Sequence, residues 1–248
     1  MITVLLNGYK RPHTLKEQYE AVKAQSVGDV DVMFWGNYDE SSMEKFPHDV
    51  IENCTAAFCN QNLGVWARFA FALNSYSQYI CVLDDDTIPG SRWLENCMNT
   101  IQTHVGLIGC RGLRMSGDDY LNYPNCQYDG FGGGSDNTEP VEVDIIGHSW
   151  FFEREWLRAF WAEMPRVALF SGGEDMHFSY AIQKQFGLKS YVPPQPADDK
   201  ELWGSTCSTK YGEDEAATSR TQQGHAQANA YWRYMVEEGG YQLVKDRK

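Results

Sequence analysis

The chain has 248 residues, 42% hydrophobic and 22% charged, which suits one large globular domain and excludes a disordered or fibrous chain. A net charge of −13 repels phosphate backbones and anionic lipid, so nucleic-acid and membrane-surface binding are not expected. Seven scattered cysteines without a CxxC pair argue against a disulfide framework or a zinc knuckle, and for reduced thiols in a cytoplasmic setting.

Ile2 to Leu6 is a short apolar, β-branched run that predicts a buried strand. It is too short for a secretory signal, and no apolar stretch reaches the length of a membrane span. Asn7-Gly8 ends it, and Thr14-Leu15-Lys16-Glu17 has the form of a capping box opening a helix with Leu15, Tyr19 and Val22 on its apolar face. Strands are expected at Asp31 to Trp35, Thr55 to Cys59 and Tyr79 to Leu83, with a helix over Gly64 to Ser75. The Tyr79 strand is apolar throughout, hence central, and runs directly into Asp84-Asp85-Asp86. Ser91 is expected to cap a helix carrying Trp93, Leu94, Cys97, Met98 and Ile101, before a strand at Val105 to Gly109. This order predicts an α/β fold with a mixed, mainly parallel sheet flanked by helices.

The second half reads differently. Met115 to Pro140 is rich in Gly, Asn, Asp and Tyr and predicts long loops around a hairpin. Strands are expected at Val141 to Ile145 and Ser149 to Phe152, and helices over Arg154 to Glu163 and Glu174 to Phe186. A strand at Lys189 to Val192, a mobile polar segment from Asp198 to Gly224 and a helix over Gln227 to Glu238 complete the chain. No repeat or linker divides residues 1–248, which read as one domain with an α/β half, 1–110, and a second half, 111–248, ending in the mobile segment.

Three adjacent carboxylates beyond a buried strand repel one another unless a positive charge lies among them. A hard divalent cation, Mn²⁺ or Mg²⁺, bound through oxygen would supply it, and in an open parallel sheet ligands bind beyond the carboxyl ends of strands. A solvated turn, with Asp86 capping the next helix, is the alternative.

Strand-then-Asp-x-Asp resembles the metal and nucleotide-sugar motif of GT-A fold glycosyltransferases of the family 2 type. Leu6-Asn7-Gly8-Tyr9-Lys10-Arg11 resembles that family's opening strand and nucleotide loop. Asn60-x-Asn62-x-Gly64 with Ala67-Arg68 resembles its Asn, Gly and Ala-Arg segment, and Gly172-Gly173-Glu174-Asp175 its late Glu-Asp pair. The likeness spans roughly residues 2 to 192. One departure is Gly36-Asn37-Tyr38-Asp39, where the family often has an Asp-Asp-Gly-Ser turn; Asn37 or Asp39 could receive the base.

The resemblance implies an inverting transferase that moves a sugar from a nucleotide diphosphate donor, UDP-sugar first, to a hydroxyl of a glycan or glycoconjugate. Asp86 would ligate the metal, with Asp84 at ribose or sugar hydroxyls and Asp85 beside them. Asn7, Tyr9, Arg11 and Asn37 would contact the nucleotide, and Arg68 and Arg11 would grip phosphate oxygens. Asp175 would be the base, next to Glu174, after glycines that let ligand approach. Its place at a helix N-terminus would hold it ionised. Gly147, His148, Trp150 and Gly173 would border sugar and acceptor, Trp150 by stacking. The 8 Trp, 14 Tyr and 12 Phe exceed what a core of this size needs and suit such a cleft, with core filling the alternative for any one ring. His225 would close on the metal as a late ligand. Two rivals stay open: a nucleotidyltransferase that makes the activated sugar, and a glycan-binding module without catalysis. No GxGxxG follows the first strand, which argues against a dinucleotide oxidoreductase.

Overall fold

The computed structural model describes residues 1–116, 126–130, 136–164, 172–207, 211 and 222–247, with side chains in the last helix from residue 226. The strands are β1 (Ile2–Gly8), β2 (Val30–Gly36), β3 (Thr55–Phe58), β4 (Tyr79–Leu83), β5 (Gly106–Ile108), β6 (Arg111–Met115), β7 (Cys126–Gly130), β8 (Val141–Val143), β9 (Ile145–Gly147), β10 (Ser149–Glu153) and β11 (Lys189–Val192). The α-helices are α1 (Leu15–Lys23), α2 (His48–Ile51), α3 (Ala67–Phe71), α4 (Trp93–Thr103), α5 (Leu157–Ala162), α6 (Glu174–Phe186) and α7 (Gln222–Glu237).

Eight strands form one sheet in the order β3-β2-β1-β4-β10-β5-β11-β8. Its first four strands are parallel, as the alternating strand and helix signals require. β1 and β4 are buried almost throughout, which explains their unbroken apolar sequences. The antiparallel strand β10 lies against β4, so a segment from the second half of the chain adjoins the end of the central strand. A second sheet, β7-β6-β9, is antiparallel throughout and contains the hairpin expected after Met115, although its turn lies outside the described residues.

The main core includes a tight group of rings: Phe69 lies 4.8 Å from Phe160 and 5.7 Å from Trp150, and Phe152 lies 4.8 Å from Phe178. All five are at most 2% exposed, so for these rings core filling, rather than a ligand cleft, accounts for the aromatic surplus. A smaller core joins Met115 and Ile145 of the second sheet to Met176 and Tyr180 of α6 and to Tyr231, Trp232 and Met235 of α7.

Three local expectations are corrected. Thr14 donates its hydroxyl to the Arg11 carbonyl at 2.8 Å instead of accepting from the helix, so no capping box forms. Arg92, not Ser91, occupies the cap position of α4. The start of the segment expected to be mobile is anchored: Gly90 N–H donates to Trp203, Arg92 N–H to Glu201 and Thr206 N–H to Ile88, at 2.8 to 2.9 Å. Residues 201–207 therefore run as a strap along the chain just beyond the acidic triplet. Gly204 is required there, because a Cβ would come within 1.8 Å of the Cys110 Cβ.

Candidate active site

The acidic triplet leaves β4, and it and the turn after it are held from below by two buried glutamines, Gln18 of α1 and Gln25 just beyond that helix. Gln18 donates to the carbonyls of Asp84 and Thr87 at 2.7 and 2.8 Å. Gln25 donates to the Gly90 carbonyl and accepts from Leu94 N–H. Gln18 is fully buried beside Leu15 and Val22. A glutamine on the apolar stripe of a helix was the available sequence signal for this clamp, and it was missed.

The three aspartates have different environments. Asp85 is 7% exposed and accepts from Arg11 at 2.6 Å. Burial pushes its carboxyl up to about 7, against the pull of Arg11. Arg11 is itself buried and also lies 3.6 Å from Asp86. Asp85 and Arg11, both expected at the donor, form a buried ion pair with each other. Asp84 pairs with Arg68, whose second terminal nitrogen donates to Glu174 at 2.8 Å. Arg68, expected at phosphate oxygens, is 1% exposed and bridges the two carboxylates. Two arginines thus meet part of the charge demand assigned in the sequence to a cation.

The remaining part of the triplet faces His148. The β4–β10 register continues one residue beyond the strands, where Asp84 N–H donates to the His148 carbonyl at 3.0 Å. His148 takes a left-handed backbone, φ 64°, sparsely populated for a residue with a Cβ and concentrated at functional sites. Its Nδ1 lies 3.5 Å from an Asp86 oxygen. Burial raises the Asp86 carboxyl, but the hydrogen bond and charge of His148, with Arg11, bring it below the usual range. One ligand atom each from Asp84, Asp86 and His148 lie within 4.8 Å of one another. Three such atoms within this limit are close enough to share one divalent ion. His148, expected as a sugar contact, thus joins the possible metal ligands. His225 falls in the backbone of α7, and its side chain lies outside the described residues.

Trp150, expected to stack on a sugar, packs against Arg68. It is 2% exposed, and its ring lies 4.6 Å from the Arg68 guanidinium carbon. It supports the arginine that holds Asp84 and Glu174, a buried cation–π contact.

Helix α6 brings the other carboxylates. Gly172 and Gly173 have φ of 90° and 88°, a left-handed pair that suits glycine. Trp66 secures this entry by donating Nε1–H to the Gly172 carbonyl at 3.2 Å. Gly173 is the buried cap of α6, and its carbonyl accepts from His177 N–H, so its observed role is in the backbone turn. Glu174 is 7% exposed, and burial pushes it up to about 7. Asp175 is half-buried and accepts from Met176 N–H at 2.7 Å. Burial and nearby Asp84 raise its carboxyl to about 6 despite backbone N–H bonds that lower it. The helix end was expected to hold it ionised; burial outweighs that pull, but a value near 6 still leaves it ionised at neutral pH.

On the opposite side of the triplet, Asn62 donates to the Tyr9 hydroxyl at 3.1 Å and accepts from Asn37 at 2.8 Å. Asn37 also accepts from Leu63 N–H and is 5% exposed. These bonds tie Asn37 to the loop after β3, where Asn62 is exposed. Asn7 is half-buried near the end of β1, opposite Trp35 of β2. Gly147 ends β9, with open space where a Cβ would project.

A mixed, mostly parallel sheet ending in this acidic site, flanked by helices and joined to a small antiparallel sheet, is the GT-A glycosyltransferase fold. The description "Glycosyl transferase family 2" matches residues 9–161, more than half of the chain, and the chain belongs to that family. It is similar in fold to a mannosyltransferase from Pyrobaculum calidifontis solved with GDP-Man and Mn²⁺: 14% identity, TM-score 0.53, covering 78% of this chain and 54% of that one. It is also similar to S. aureus TarS 1-349 in complex with UDP-GlcNAc: 13% identity, TM-score 0.52, covering 81% of this chain and 60% of that one. The chain thus spans less than two thirds of either structure. No match was found among curated proteins. Among the described residues, no helix is long and apolar enough to cross a membrane.

Proposed function

We propose that this family 2 chain transfers a sugar from a nucleoside diphosphate donor, UDP-sugars first, to a hydroxyl of a glycan or glycoconjugate, with inversion at the anomeric carbon. The observation that carries this reading is the Asp84, Asp86 and His148 cluster beyond a central parallel strand. Its carboxylate oxygens and imidazole nitrogen suit Mn²⁺ or Mg²⁺. Such an ion, when bound, supplies Lewis-acid stabilisation of charge on the departing diphosphate. The neighbouring structures solved with GDP-Man and Mn²⁺ and with UDP-GlcNAc support it. Family membership favours transfer over the nucleotidyltransferase and binding-module alternatives.

Asp175 is the base. With its carboxyl raised to about 6, it is ionised at neutral pH yet more basic than an ordinary aspartate, which favours removal of the acceptor proton. Attack opposite the leaving group inverts the centre. Arg68 fixes Asp84 and Glu174 relative to each other. Asn7, Tyr9 and Asn62 border the nucleotide, so residues 1–110 bind the donor and residues 111–248 provide acceptor and base. The test is thermal: Mn²⁺ or Mg²⁺ together with UDP, GDP or dTDP should raise Tm, and Asp86→Asn and His148→Ala should each abolish the gain. Absence of a shift with every metal and nucleotide pair would refute the donor-site assignment.

A further inference from the structure

Arg111 stands apart from the other arginines of the site. It is half-buried at the start of β6, and its Nε is buried without a hydrogen-bond partner. Among the described residues its guanidinium enters no ion pair, and its contact is the Tyr128 ring, 4.5 Å from Cζ. A guanidinium offers five donors in a planar fork matched to oxyanions. Leaving the buried Arg111 Nε–H without an acceptor is unfavourable.

The sheet register shows which side of the site Arg111 serves. Arg111 pairs with Gly147, and Leu113 with Ile145; directly paired residues project to the same face. Leu113 and Ile145 pack in one cluster with Met176 and Tyr180 of α6, so this face receives the helix opened by Glu174 and Asp175. Arg111 lies one side-chain period from Leu113, toward Gly147 and His148. Among the described residues, nothing lies within 4 Å of a Cβ placed on Gly147. Tyr9, Asn37 and Asn62 belong instead to the loops after β1, β2 and β3, across the sheet from Arg111.

We infer that the recess over Gly147 takes an oxyanion, phosphate or carboxylate, carried by the acceptor, held by Arg111 against the Tyr128 ring. Tyr128 stacks the guanidinium and keeps its edge toward the recess; the missing side chain at Gly147 makes room for the anion. The acceptor is therefore an acidic glycan or a phosphate-bearing glycoconjugate. The recess as an anion site rests on Arg111 alone; its assignment to the acceptor rests on the transferase reading above.

Two measurements separate these claims. Arginine Nε–H resonances are recorded for the full chain, without metal or nucleotide, during titration with glucose 6-phosphate, glucuronate or glucose. One resonance, absent in Arg111→Gln, should shift with one or both anions and stay fixed with glucose; which anion acts distinguishes phosphate from carboxylate. No anion-dependent shift, or an equal shift with glucose, overturns the anion site. Donor hydrolysis and transfer are then compared for wild type, Arg111→Gln and Arg111→Lys, using matched neutral and anionic acceptors. Arg111→Gln should raise KM for the anionic acceptor by about tenfold to a hundredfold, with donor hydrolysis and neutral-acceptor KM unchanged and Arg111→Lys intermediate. Equal loss of UDP binding would overturn the acceptor assignment in favour of the diphosphate. If no nucleotide sugar is hydrolysed while the resonance still responds, the transferase reading fails and the anion site stands.

Discussion

His177 offers a test of the buried architecture that is independent of catalysis. It lies on α6 three residues after Glu174, is fully buried, and meets the Phe160 carbonyl through Nε2 at 2.8 Å and the Tyr231 hydroxyl through Nδ1 at 2.5 Å. A carbonyl only accepts, so Nε2 carries the proton and Nδ1 accepts from Tyr231. Adding a second proton would charge a ring enclosed by Trp66, Phe160 and Tyr231, and burial accordingly lowers its pKa to about 4 from an ordinary 6.5. Between those values the unfolded chain binds the proton and the folded chain does not, so stability from this group is complete above 6.5 and falls as pH drops toward 4. The difference of about 2.5 pH units corresponds to about 3 kcal/mol. Asp85, Glu174 and Asp175 have raised values and oppose this trend, so the informative quantity is the difference between wild type and His177→Gln. Urea unfolding at pH 7.5, 6, 5 and 4.5 should show the variant less stable at neutral pH, with most of that deficit disappearing by pH 4.5. A deficit that stays constant across the series would refute the neutral buried imidazole.

Other substitutions probe the site's support. Gln18→Leu leaves the Asp84 and Thr87 carbonyls without their donor and should cost about 1–3 kcal/mol in urea unfolding, with weaker nucleotide binding. His148→Gly relieves the left-handed backbone while His148→Ala does not, so the glycine variant should be the more stable by about 1 kcal/mol, with both losing the metal-dependent Tm gain. Arg68→Met leaves Asp84 and Glu174 facing each other and should destabilise by about 3–5 kcal/mol; adding Glu174→Gln should recover part of the loss, read as a double-mutant cycle.

Much of the fold is legible from hydrophobic runs. β4 and β11 and helix α6 have the predicted bounds because each is a continuous periodic segment with turn residues at its ends. The acidic triplet is legible for the same reason, since it follows the most apolar strand directly. What could not be read is pairing. Nothing in one dimension indicates that β10 lies antiparallel on β4 and brings His148 beside Asp84, or that Asp85 and Asp84 are answered by Arg11 and Arg68. Trp150 illustrates the same limit: its place in a strand was visible, but whether its ring faces solvent or Arg68 depends on the layer packed over the sheet.

The strap at 201–207 has a practical consequence for dissecting the molecule. Its backbone amides and carbonyls pair with Ile88, Gly90 and Arg92, and the Ser205 hydroxyl accepts from Ile88 N–H. The floor beneath the aspartates is therefore assembled from two stretches more than a hundred residues apart in the chain. A fragment ending at residue 200 would retain every carboxylate yet lose part of their foundation. A protease cut beyond Cys207 would spare that foundation, so fragments for isolating donor binding should end after the strap.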